Sequence, residues 1–221
     1  RLSAPVSVAI SSKGDVATIA GNMRFFRADG TLARYHLSFW GQQTPSGMLT
    51  MPDGKVALNF SGFNSSHTIA VDPSTQTWKP GYQFDRGGDM GHLVAFFTEG
   101  GKNFAVYDPK SYNAEHSLFE IARFDNGQSK VVLRFGWDEK QNAVTMTTDT
   151  NNDGAVDEKD TARVLTAPDG KPVAGLRFMQ DGRMIAIGNI IPCTGLDASG
   201  VPVWDWSKYS PNKLGVNPVP A

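Results

Sequence analysis

One turn recurs along this chain: a glycine, often preceded by Asp or another polar residue, stands between two short runs rich in β-branched and aromatic residues. It occurs in SSKGDV at Gly14, RADGTL at Gly30, MPDGKV at Gly54, TEGGKN at Gly101, FDNGQS at Gly127, APDGKP at Gly170, MQDGRM at Gly182 and DASGVP at Gly200. Glycine suits these places because a tight hairpin needs a residue with positive φ, which a Cβ penalises. The runs between the turns have strand composition: Val6 to Ile10, Val16 to Ile19, Met23 to Phe26, Val56 to Phe60, Thr68 to Val71, His92 to Phe97, Phe104 to Tyr107, Leu118 to Phe124, Val131 to Phe135, Ala143 to Thr148 and Met184 to Ile187. Helical periodicity is hard to find anywhere. The 23 glycines and 13 prolines are spread along the 221 residues, so the sequence predicts an all-β chain of many short strands.

The turns fall into a larger repeat. Val8 to Tyr35 can be laid on Leu176 to Trp206 with a short insertion before Cys193, both reading strand, glycine turn, strand, loop, strand, glycine turn, strand. Weaker versions begin at Gly47 and Gly91, and an irregular fifth covers Ala143 to Leu165. Units of about 35 to 50 residues with four strands each have the size of β-propeller blades. Through segments such as PDGKVAL and QDGRMIAIG the chain resembles NHL-like and quinoprotein-like propeller repeats, in which such a pattern marks the inner hairpin of a blade. The resemblance implies a β-propeller of four to five blades, or a segment of a larger ring completed by another chain or a missing domain. A β-sandwich is the alternative; it accounts for the strands and turns but not for the repeat. On this reading residues 1–209 form the propeller and 210–221, proline-rich and polar, a tail or linker.

The unit that fits the repeat least well carries the clearest chemical pattern. In DTNNDGAVDEKD, counted from Asp149, side-chain oxygens stand at loop positions 1, 3, 5, 9 and 12: Asp149, Asn151, Asp153, Asp157 and Asp160. This is EF-hand spacing. Gly154 takes the sharp bend at position 6, Ala155 offers its carbonyl at position 7, and Val156 at position 8 ties the loop to a core. A hard cation such as Ca²⁺ takes about six to eight oxygens, and this set supplies them with or without water. The last ligand is Asp rather than the bidentate Glu of signalling EF-hands, as in dockerins, so the loop is read as a structural calcium site that staples an insertion. The flank NAVTMTT reads as a strand, and DTARVL could form at most a short helix. Calcium at such a site points to a secreted, cell-surface or periplasmic location, where the ion is abundant.

Other groups are weaker candidates. DRGGDMGH gathers Asp85, Arg86, Asp89 and His92 just before a strand, where blade loops line a propeller's central channel; they are the candidate ligand-binding residues, for a carbohydrate or other small molecule. Trp40, Trp78, Trp137, Trp204 and Trp206 lie near unit ends and read as packing residues before sugar platforms. Cys193 has no partner cysteine, so it forms no intrachain disulfide and reads as an inert buried thiol.

Lys plus Arg number 21 against 22 Asp plus Glu, a formal charge of −1 that gives nucleic acid no basic surface to meet. No apolar run approaches the roughly 20 residues that span a bilayer, which predicts no transmembrane segment. The leading expectation is a calcium-stabilised extracytoplasmic propeller module that binds a ligand or protein. Its rival is the propeller part of an exported carbohydrate-active hydrolase or lyase, or of a quinoprotein-like oxidoreductase. For the hydrolase, Asp85, Asp89, Asp108 and Asp138 are the carboxylates to place.

Overall fold

The computed structural model describes residues 7–213 apart from 12, 21, 38–43, 52, 63–64, 73–74, 76, 81–91, 109–116, 126–127, 152, 154–155 and 158. Among the described residues there is no α-helix, and none long and apolar enough to cross a membrane. The chain divides into two compact units, Arg1–Leu93 and Val94–Ala221.

The first unit holds two four-stranded antiparallel sheets, each a meander in chain order. One is β1 (Ser7–Ile10), β2 (Val16–Ala20), β3 (Asn22–Phe26) and β4 (Leu32–Leu37); the other is β5 (Thr44–Thr50), β6 (Val56–Gly62), β7 (Ser65–Asp72) and β8 (Thr77–Pro80). In the first meander the directly opposed residues Ala9, Ala17 and Phe25 form a buried cross-strand row. In the second, Val56 faces Val71, and both are buried. Thr50 Oγ1 donates to the Ile10 carbonyl at 2.7 Å, so the first strands of successive meanders meet.

The turns explain why the repeat is so visible. At Gly30, Gly54, Gly170, Gly182 and Gly200, as at Gly14, the glycine N–H donates to the carbonyl three residues earlier, and that earlier residue's N–H donates to the carbonyl just after the glycine. The glycines have φ between 76° and 84°. The motif's Asp supplies a further lock, since Asp29, Asp53, Asp169 and Asp181 each accept from the N–H two residues on. Where Lys or Arg follows the glycine, its side chain pairs with the same carboxylate, as in Lys55 with Asp53 and Arg183 with Asp181.

The second unit departs from the four-strand plan. Strands β9 (His92–Glu99), β10 (Lys102–Asp108), β11 (Ser117–Asp125), β12 (Gln128–Asp138), β13 (Ala143–Thr148) and β14 (Ala162–Val164) form one six-stranded antiparallel meander. The units expected at Gly91 and at Ala143 to Leu165 are therefore one sheet. Val131 to Leu133 are all buried, the mark of a strand covered on both faces. One face builds the core through Phe104, Ile121, Leu133 and Phe135. On the other, Glu120 accepts from Arg134 Nε at 2.9 Å and from its terminal nitrogen at 2.8 Å, and Phe96 stacks on Phe124 with ring centroids 5.5 Å apart.

The unit expected from Leu176 to Trp206 also resolves differently. β15 (Leu176–Phe178), β16 (Met184–Ala186) and β17 (Asn189–Ile191) pair with β20 (Ser210–Pro211), while β18 (Cys193–Leu196) and β19 (Pro202–Trp204) form a separate hairpin. The fourth strand thus comes from the start of the segment read as a tail. The strand expected through Ile187 stops at Ala186, because Ile187 and Gly188 make a tight turn with φ of 51° and 70°. Phe96 N–H donates to the Gln180 carbonyl at 3.2 Å, so β9 runs beside the end of β15 as β1 runs beside β5. The coarse expectation of an all-β chain built from antiparallel sheets is met.

Candidate functional site

The acidic loop is the connection between β13 and β14. The strand predicted before it, Ala143 to Thr148, has those bounds; the segment after it is the strand β14 rather than a short helix. Thr147 faces Ala162, so the loop's two ends are held together by the sheet. A bulge helps to seat it. The register of β11 on β12 shifts between Ile121 and Ala122, leaving Val132 without an opposed residue, and the Val132 carbonyl accepts from Asp149 N–H at 3.2 Å.

Asp149 and Asp160, at the first and last loop positions, are both buried, and so is Val156. One oxygen of Asp160 accepts from the Thr150 N–H at 2.8 Å and its hydroxyl at 2.7 Å; the other accepts from Asp157 N–H at 3.1 Å. These donations, those of Thr150 first, hold the Asp160 carboxyl below the usual aspartate range. Asn151 Oδ1 accepts from Asp153 N–H at 3.0 Å, and its amide donates to Asp153 Oδ2 at 2.9 Å. The Lys159 ammonium lies 3.5 Å from Asp157 Oδ2 and 4.0 Å from Asp153 Oδ2. Ala155 lies outside the described residues. Among those described, no three Asp, Glu, His or Cys side chains converge closely enough to hold a metal ion.

Asp85, Arg86 and Asp89 also lie outside the described residues; His92 opens β9. Asp138 is occupied structurally, accepting from the N–H groups of Lys140 and Gln141 and from the Gln141 amide at 2.7 Å. Its carboxyl is held below the usual range, Gln141 contributing most, which is the wrong direction for a general acid. Cys193 stands in β18, half-buried, with its thiol pushed up to about 11 by burial.

A feature the sequence did not reveal is a cavity of about 310 Å³ in the second unit. Its floor is a cross-strand row, Phe135, Met146 and Arg163, contributed by β12, β13 and β14. Its roof includes Trp204 and Trp206, the latter in the short 3-10 turn Trp206–Lys208. Trp204 is set in place by its indole N–H, which donates to the Gly182 carbonyl at 2.9 Å. The pairing of two nearby tryptophans was the only trace of this site in the sequence. Its other walls come from segments far apart along the chain.

No family model and no curated protein sequence matches the chain. Among solved structures it is similar to a protein of unknown function from Bacteroides caccae, at 12% identity and a TM-score of 0.38, covering 90% of this chain and 80% of that one. It is also similar to the Dos1 propeller, at 8% identity and a TM-score of 0.45, over 85% of this chain and 56% of that one. A third is hydrazine synthase of Kuenenia stuttgartiensis, at 13% identity and a TM-score of 0.37, over 86% and 76% of the two chains.

Proposed function

We propose that the chain is a calcium-stabilised, extracytoplasmic β-propeller module that binds a ligand or protein partner as part of a larger protein or complex. The propeller reading is supported by strand order. Consecutive four-stranded meanders, with the first strand of one beside the first strand of the next, are what radially arranged blades require.

The calcium reading is carried by one observation: Asp160 closes the loop onto Thr150 and Asp157, while Asp153 and Asp157 flank the Lys159 ammonium. Lys159 supplies there the positive charge that an ion would supply. The donors are all oxygens, the set a hard cation selects. Asp149, Asn151, Asp153, Asp157 and Asp160, with the Ala155 carbonyl, would hold the ion once Lys159 swings out to solvent. Calcium then links the two ends of a long hairpin loop and opposes its unfolding.

The test is thermal unfolding of the metal-stripped protein with calcium at about 5 mM or with EGTA. At the millimolar to sub-millimolar affinity of extracellular sites, calcium raises Tm by about 2 to 8 °C. Lys159→Ala strengthens the response and Asp160→Ala removes it. Equal melting in calcium and EGTA, for both the parent and Lys159→Ala, discards the calcium assignment.

A further inference from the structure

The cavity over the Phe135, Met146 and Arg163 row has the properties of a ligand site rather than a packing defect. A void left by imperfect packing is apolar all round, whereas this one combines aromatic walls with a few polar groups. Arg163 projects from the edge strand β14, opposite Met146 in the register, and is exposed. Among the described residues its guanidinium makes no hydrogen bond or ion pair. A planar cation with its donors unspent, beside aromatic and thioether surface, is suited to a carboxylate, which it grips through two parallel hydrogen bonds.

The remaining walls narrow the choice. Phe135 is fully buried, Trp204 is held by Gly182, and Trp206 is half-buried with its indole N–H uncommitted among the described residues. These surfaces favour a flat apolar body, with Met146 sulfur adding to the contact with an aromatic ring. Thr148 offers a hydroxyl. Asp197 also reaches the cavity, with one carboxylate oxygen spent on the N–H groups of Ser199 and Val201. Its negative charge disfavours a polyanion such as a phosphate ester, and leaves a single anionic group as the best match for Arg163.

The geometry points to a binding site for a small, flat, largely apolar monocarboxylate, held by Arg163 at its carboxylate and by Trp204 and Trp206 along its body. The volume suits a molecule of roughly a dozen non-hydrogen atoms. The site stands apart from the calcium loop in its ligand chemistry, although Thr148 and Arg163 lie on the two strands that the loop connects.

Isothermal titration calorimetry of the intact chain with 2-naphthoate tests this. The neutral isostere 2-naphthamide and the sugar acid glucuronate separate charge from shape. Saturable one-to-one binding of 2-naphthoate is expected, at least about tenfold tighter than either comparison compound. Arg163→Gln loses that tenfold preference and leaves 2-naphthamide binding unchanged. Trp206→Ala weakens both aromatic ligands. Lys140→Gln, a surface change outside the cavity, alters nothing. Because Arg163 is exposed and its guanidinium has no polar partner among the described residues, the unchanged 2-naphthamide binding of its variant separates lost recognition from lost folding. The assignment is overturned if 2-naphthoate does not bind at millimolar concentration, if Arg163→Gln binds it as the parent does, or if glucuronate binds more tightly.

Discussion

The turns at Gly30 and Gly182 have the same backbone and different surroundings. Each glycine donates to the carbonyl three residues before it, has φ of 83°, and follows an Asp that accepts from the residue after the turn. At Gly30 a Cβ would meet nothing within 4 Å. At Gly182 it would lie 2.4 Å from Phe97 Cγ, and Phe97 is itself stacked on Phe104 with centroids 5.3 Å apart. The Gly182 carbonyl also receives the Trp204 indole. One local motif therefore serves in one place as a solvent-facing hairpin and in the other as the point where a hairpin, β9 and the aromatic core close together.

Alanine at each position exposes that difference. Gly30→Ala faces only the left-handed backbone cost, about 1 kcal/mol. Gly182→Ala adds a clash with a stacked, buried ring and should cost about 3 kcal/mol or more. Chemical denaturation of the two variants measures both values. Equal losses would mean that Phe97 moves aside freely and that the second turn has no special duty.

A second contrast lies between the four-stranded meanders and the six-stranded sheet. The larger sheet gains β14 because the acidic loop returns the chain to the edge it left. Asp160 closes that loop through Thr150 and Asp157, so Asp160→Ala should raise amide exchange at Ala162 to Val164 while leaving β1 to β4 unchanged. Acid should act in the same way. Because the folded carboxyl is held below its ordinary value, its contribution is complete above the unfolded-chain pKa of about 3.9 and is lost as pH falls through the lowered folded value. Exchange at β14 that shows no response to the substitution, or to acid below that point, would mean that β13 alone holds the edge.

These contrasts mark what could be read in advance. The glycine turns, the strands beside them and the loop oxygens are local patterns, set by spacing and conformational preference within a dozen or so residues. The joining of the Gly91 unit to Ala143 to Leu165 depends on burial of both faces of β12 and on the bulge at Val132, which no spacing encodes. The replacement of an expected fourth strand by Ser210–Pro211 likewise depends on a distant partner, β17. Arg163 was invisible as a site residue because Phe135, Met146 and Trp204 come to line one cavity with it only through sheet register and tertiary packing.

The smallest predicted effect concerns two turns within the second unit. The β12 to β13 connection has Asn142 at φ 49°, a conformation asparagine tolerates. The β16 to β17 turn places Ile187 at φ 51°, although a β-branched side chain is strained there and this one is 48% exposed. Exposure means that little burial is lost on replacement, while Asn followed by Gly188 is the pair this two-residue turn prefers. Ile187→Asn should therefore stabilise the second unit by about 1 kcal/mol, raising Tm by about 2 to 4 °C. A loss of stability instead would show that the exposed isoleucine makes a contact within the chain worth more than the backbone strain.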